Sequence, residues 1–248
     1  MELAVLYAIL FFTGVISSFV GTIVGGGGLI SLPILILLGL PPKTAVATNS
    51  FGSLGLSAGA LTKFWSSGKI NWKYTLPFSI ISIIGAFFGV KLLISVNEEL
   101  LPKIIGIIIL AVIPFLYMKP DLGIKKRQTG KFMKILGYAT YFIIAVYGAF
   151  ISAGGAIFLF FILMYFFGFS FIEGNATARI PALFSKSLAI ILFFIAGLID
   201  FKFGPVLFAG MLVGGYLGAH TTLRLGESIA KKIYMLAALA LGIKLLFF

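Results

Sequence analysis

Arg179 and Lys186 are the residues of this chain whose chemistry most needs a partner. They stand seven positions apart in Glu173-Gly-Asn-Ala-Thr-Ala-Arg179-Ile-Pro-Ala-Leu-Phe-Ser-Lys186-Ser187, which puts them on one face of a helix, two turns apart. No acid follows Glu173 in that segment. A guanidinium presents a planar fork of donors suited to an oxyanion, and an ammonium presents a point charge. Two cations inside an apolar segment would need an anion from elsewhere, and a bound anion is one candidate. Arg179 is the leading anion contact on this reading. The alternative is that Arg179 bonds to neighbouring carbonyls or to Glu173 while Lys186 extends to an interface. Thr48, Asn49, Asn175 and Thr177 are further candidate ligands, with interhelical hydrogen bonding as their alternative role. Ser50 and Ser57 occupy the matching positions in the first half of the chain, on a face expected to line a cavity.

The acids are Glu2, Glu98, Glu99, Asp121, Glu173, Asp200 and Glu227. Most fall in expected loops or termini, so Glu173 is the best candidate for proton coupling. There is no cysteine, and His220 is the one histidine. Disulfides, thiolate metal sites and a cysteine nucleophile are thereby excluded, and no metal or other cofactor is expected. His220, near a helix end, is expected at an interface. No Gly-x-x-x-x-Gly-Lys-Ser/Thr stretch occurs, so ATP drive within this chain is not expected. Nor is an enzyme.

The elements that must position these residues are organised around Gly25-Gly26-Gly27-Gly28. Apolar segments lie on both sides, and four glycines in a row cannot hold a regular helix. In a bilayer an opened backbone is tolerated only where protein or a watery cavity satisfies its polar groups. Gly148-Ala-Phe-Ile-Ser-Ala-Gly154-Gly155 repeats the motif 127 residues later. Paired broken segments in two halves mark an expected substrate site, and the helix starts after Gly28 and Gly155 would add donors and a favourable dipole. Close helix packing is the plainer role for the same glycines. It is also the expected role of Gly55-x-x-x-Gly59, Gly85-x-x-x-Gly89 and Gly210-x-x-x-Gly214.

Composition sets the medium. The chain is 60% hydrophobic and 10% charged over 248 residues, too little charge to cover a water-soluble surface of that size. The expected class is therefore an all-α, polytopic helical membrane protein. Met1-Glu2-Leu3 lacks the basic start of a cleavable signal, and the first segment reads as a membrane helix. A formal net charge of +12 would suggest nucleic acid in a soluble protein. Here the bases gather at segment ends and in one loop, the positive-inside pattern, with lipid headgroups rather than nucleic acid as partners.

Hydrophobic runs predict ten segments: Glu2 to Val24, Leu29 to Leu40, Lys43 to Trp65, Trp72 to Ser95, Leu100 to Met118, Phe132 to Ser152, Ala156 to Phe167, Ile172 to Leu198, Phe203 to Thr222 and Ser228 to Phe248. The second would be about 18 Å long against roughly 30 Å of hydrocarbon. Beyond the glycine motif the halves align at an offset of 129, pairing Ala47-Thr48 with Ala176-Thr177, Gly68-Lys-Ile-Asn-Trp72 with Gly197-Leu-Ile-Asp-Phe201, and Gly85-Ala-Phe-Phe-Gly89 with Gly214-Gly-Tyr-Leu-Gly218. The chain divides into repeats at 1–118 and 132–248, joined by a basic linker at 119–131. With Lys134, that linker is expected to be cytoplasmic. Ten crossings would invert one repeat relative to the other, whereas fusing each broken pair gives eight and parallel repeats.

Gly25-Gly-Gly-Gly-Leu-Ile-Ser-Leu-Pro33, then Leu38-Gly-Leu-Pro-Pro-Lys-Thr-Ala-Val-Ala-Thr48, Gly68-Lys-Ile-Asn-Trp72 and Gly85-Ala-Phe-Phe-Gly89 resemble, in that order, the TauE/SafE family of sulfite and organosulfonate transporters. The likeness runs over essentially the whole chain, with weaker echoes in the second half, where Ser-Ala-Gly-Gly-Ala is poorer in glycine than many relatives. It implies a plasma (inner) membrane transporter and favours the count of eight crossings. The expectation is a secondary transporter moving a small anion outward, sulfite or an organosulfonate foremost, by alternating access around the two broken helices. An anion channel on the same cavity and a non-transporting scaffold are the alternatives.

Overall fold

A computed structural model describes residues 3–97, 99, 100, 123, 124, 126 and 128–247, the stretch from 234 by its backbone alone. Its helices are α1 (Leu3–Val24), α2 (Gly28–Leu37), α3 (Pro42–Trp65), α4 (Trp72–Ser95), α5 (Lys131–Phe150), α6 (Gly155–Phe166), α7 (Phe171–Ile195) and α8 (Gly204–Phe247). No strand occurs among the described residues. The expected segment Leu100 to Met118 lies, after its first residue, outside them. The expected ninth and tenth segments are two helices that meet at Gly226, whose φ 73° and ψ 173° are not helical, and α8 denotes the two together.

Local chemistry sets the boundaries. α1 stops where Gly25 takes φ 87°, a left-handed conformation that glycine enters without steric cost. α3 begins on Pro42, whose missing N–H is no loss in a first turn. α7 opens with a capping box, Ser170 accepting from the Glu173 backbone and Glu173 reaching back to the Ser170 N–H. Sequence-paired positions share these turns: Gly39 and Gly168 have φ 93° and 72°, and Gly68 and Gly197 have 66° and 67°.

Among the described residues five helices are long and apolar enough to cross a membrane, while α2 and α6 are shorter. Large apolar side chains stand on the outside of the bundle, Phe12, Leu76, Ile80, Phe88 and Phe194 among them. Such a surface is suited to lipid rather than water.

The helices pack reciprocally. α1 lies on α8 and α5 on α4, while α3 lies on α8 and α7 on α4, with α3 and α7 in contact between them. Glycines make the closest seams, and a Cβ at Gly14 would stand 2.8 Å from the Leu207 carbonyl oxygen. Hydrogen bonds repeat the exchange. Thr48 Oγ1 accepts from the Asp200 N–H at 3.0 Å, and Thr177 Oγ1 accepts from the Asn71 N–H at 2.9 Å.

One end of the bundle holds the start of α3, the end of α4 and the α7–α8 turn, tied by Lys43 Nζ donating to the Ile94 carbonyl at 2.8 Å. The other end holds the α3–α4 turn, the start of α7 and Lys126, which pairs with Glu173 at 2.9 Å. The turn at Gly39 and its sequence counterpart at Gly168 therefore lie at opposite ends.

Candidate functional site

The glycine breaks are where the two halves touch at their centres. A Cβ at Gly25 would stand 2.7 Å from the Ile157 nitrogen, and one at Gly28 would lie 2.7 Å from Ala153 Cα and overlap the Ser152 carbonyl oxygen. Only glycine permits both approaches. Each break also turns its chain back. A Cβ at Gly21 would be 2.9 Å from Gly27 Cα, positions that a continuous helix would hold about 9 Å apart. A Cβ at Gly155 would likewise be 3.2 Å from Gly148 Cα. α2 and α6 thus fold back beside the helices they follow and do not prolong them, which departs from counting each broken pair as one crossing.

Around this meeting point lies a cavity of about 160 Å³. It sits near mid-length of α3, α4 and α7, at Ser53, Ser57, Ser82, Arg179 and Lys186. Of the residues the sequence singles out, Gly25, Gly27, Gly28, Ser57, Gly154, Gly155, Arg179 and Lys186 line it. Gly26 belongs to the first break but not to the wall.

Arg179 is 5% exposed. One terminal nitrogen donates to Asn175 Oδ1 and, at 3.4 Å, to the Thr22 carbonyl near the end of α1. The guanidinium lies 5.9 Å from the Phe64 ring centre and 5.8 Å from that of Phe160, so two aromatic faces support the cation. Its Nε–H is buried with no acceptor. Lys186 Nζ donates to the Gly148 carbonyl at 3.2 Å and to Ser152 Oγ at 3.0 Å. Each cation therefore touches the carbonyl-rich end of one broken helix, where the dipole is negative. Neither meets a carboxylate among the described residues.

The remaining sequence candidates lie outside the wall and have structural partners. Asn175 Nδ2 donates to the Thr22 carbonyl at 2.6 Å. Asn49 takes a hydrogen bond from Ser31 at 2.6 Å and donates to the Ser152 carbonyl at 2.9 Å, tying α2 to the second break. Thr48 and Thr177 make the exchanged bonds described above. Glu173 lies at the end of the bundle, holding Asn71 Nδ2 at 2.9 Å and Lys126. Glu173→Ala is expected to cost about 1–2 kcal/mol through the lost cap, read by thermal melting. Glu173→Gln, which can still close the box, should lose less than Glu173→Ala, giving up only the ion pair between the buried Glu173 and the exposed Lys126.

Hydroxyls of the wall escaped the sequence reading: Ser53, Ser82, Ser152, Ser185 and Tyr141. Tyr141 stacks on Phe78 at 4.4 Å and shares a 3.0 Å hydrogen bond with Ser82. Ser152 carried a signal in the sequence, since the offset of 127 sets it opposite Gly25.

The family model for sulfite exporter TauE/SafE matches residues 10–245. A probable membrane transporter protein of Haemophilus influenzae is 26% identical, covering 98% of this chain and 95% of its own. The Sinorhizobium probable membrane transporter protein ORF9 is 26% identical, at 97% and 92% coverage. The Escherichia coli K12 probable membrane transporter protein YfcA is 23% identical, at 98% and 90%. No solved structure gives a significant match.

Proposed function

The chain belongs to the TauE/SafE family of membrane transporters, and from that premise we propose a secondary transporter that carries a small anion outward across the plasma membrane. Sulfite or an organosulfonate is the cargo this reading favours. The observation that carries it is Arg179: a buried guanidinium, without a carboxylate among the described residues, with an unpartnered Nε–H at the cavity where both breaks meet. Anion binding there would compensate a charge that is otherwise costly to keep from water.

The two repeats, 1–118 and 132–248, are read as inverted. Reciprocal packing, exchanged threonine bonds and paired turns at opposite ends support that arrangement, and rocking of the two parts about the crossed breaks would give alternating access. Orientation in the membrane draws support from charge. Lys63, Lys69, Lys73, Lys126 and Arg224 lie toward the end that holds the start of α7, the cytoplasmic end by the positive-inside rule. Arg179 is on the half of α7 nearer that end.

The test is thermal stability of the purified protein against sulfite, sulfoacetate, taurine, sulfate, thiosulfate and chloride. A bound anion at a hundred times its Kd should add about 2.7 kcal/mol, with saturation. Absence of a saturable response to every anion would end the anion assignment. Counterflow of labelled substrate separates a carrier from an open channel.

A further inference from the structure

Ser152 is the one residue other than glycine with positive φ among the described residues, at 57°. Its sequence counterpart is Gly25, at 87°. A left-handed conformation is costlier for a residue bearing a Cβ than for glycine. A glycine would fit this backbone better, so the hydroxyl calls for an account.

The hydroxyl meets Lys186. Ser152 Oγ accepts from Lys186 Nζ at 3.0 Å, and among the described residues the one other acceptor of that ammonium is the Gly148 carbonyl at 3.2 Å. Asn49 Nδ2 donates to the Ser152 carbonyl at 2.9 Å and, at 3.4 Å, to its Oγ; any side chain at 152 would leave the shorter, backbone bond in place. A lysine stem is long and flexible, and with one acceptor lost its charge is free to swing away from the wall.

Resting on the anion-site reading above, we propose that Ser152 is a positioning residue. Its hydroxyl holds the Lys186 ammonium at the cavity and thereby sets the affinity of the site for the anion. The left-handed backbone brings that oxygen to Lys186 at a small cost in stability.

The test compares Ser152→Gly, Ser152→Ala and Ser152→Asn by thermal melting, without anion and titrated with sulfite and with sulfoacetate. Without anion, Ser152→Gly should melt at or above the parent temperature and Ser152→Ala below Ser152→Gly. With whichever anion stabilises the parent, the half-saturating concentration should rise roughly three- to tenfold for Gly and Ala, the range of one hydrogen bond. Asn tolerates the left-handed region and offers a side-chain oxygen, so Ser152→Asn should return toward the parent value.

Lys186→Met should weaken binding less in the Ser152→Gly background than in the parent, because the two residues act as a unit. Parent-like half-saturation in Ser152→Gly, or full additivity with Lys186→Met, would overturn the positioning role and leave the anion site standing. No saturable response in the parent would remove the anion site and the positioning role together.

Discussion

Arg179→Met is expected to abolish saturable anion binding while leaving the protein about as heat-stable as its parent. The guanidinium is buried, and truncating one partner of a buried, hydrogen-bonded charge pair typically costs about 2–5 kcal/mol, roughly 30- to 5,000-fold in affinity. Stability follows a different balance. The variant loses the bonds to Asn175 and the Thr22 carbonyl but no longer keeps an ion from water. A thioether between Phe64 and Phe160 also makes favourable sulfur–aromatic contacts. Arg179→Lys should not restore binding, because a point charge cannot hold Asn175, the Thr22 carbonyl and an oxyanion in one plane. The measurements are melting curves and anion titrations on the same samples. Parent-like titration in the Met variant would remove Arg179 from the site, and a large drop in melting temperature with intact binding would make it a structural cap.

Gly28→Ala should damage the fold far more than Gly154→Ala. At Gly28 the new methyl group would overlap the Ser152 carbonyl oxygen and lie 2.7 Å from Ala153 Cα. Both obstacles are backbone, so no rotamer change relieves them and the two breaks must part. Overpacking of this kind costs about 3 kcal/mol or more, enough to prevent recovery of folded protein from a marginal parent. At Gly154, with φ 71°, the nearest heavy atoms to a Cβ are 3.6 Å away, which leaves mainly the roughly 1 kcal/mol left-handed penalty. Melting of the two variants in one detergent decides the matter. Equal losses would mean that the breaks do not cross as tightly as described.

The sequence makes the all-helical class, most helix boundaries and both helix breaks legible, because each is a local effect. Glycine runs break helices wherever they stand, and the Ser170–Glu173 pair marks a helix start without reference to the rest of the chain. The cavity is legible in part. Arg179 and Lys186 are visible because an apolar segment makes any charge conspicuous. The roles of Thr48, Asn49, Asn175 and Thr177 are not, since a small polar residue in a membrane helix serves a ligand or a neighbouring helix equally well. Only the tertiary pairing of Thr48 with Asp200 and of Thr177 with Asn71 separates those roles. Ser82 and Tyr141 stay hidden because serine and tyrosine carry no charge to flag them. The fold-back of α2 and α6 stays hidden for a similar reason: local sequence reports that a helix breaks but not the direction in which the chain leaves.

The packing of α1 on α8 bears on biosynthesis. α1 ends at Val24 and its partner begins at Gly204, so most of the chain is synthesised before the first helix can meet its mate. Until then the small-residue seam around Gly14 has no matching surface and must be sheltered by lipid or by the insertion machinery. The first half therefore cannot mature as a finished unit ahead of the second, as an N-terminal domain commonly does during translation. Nascent chains stalled before residue 204 should remain loosely assembled and open to proteolysis, and protection should appear in one step once α8 enters the membrane.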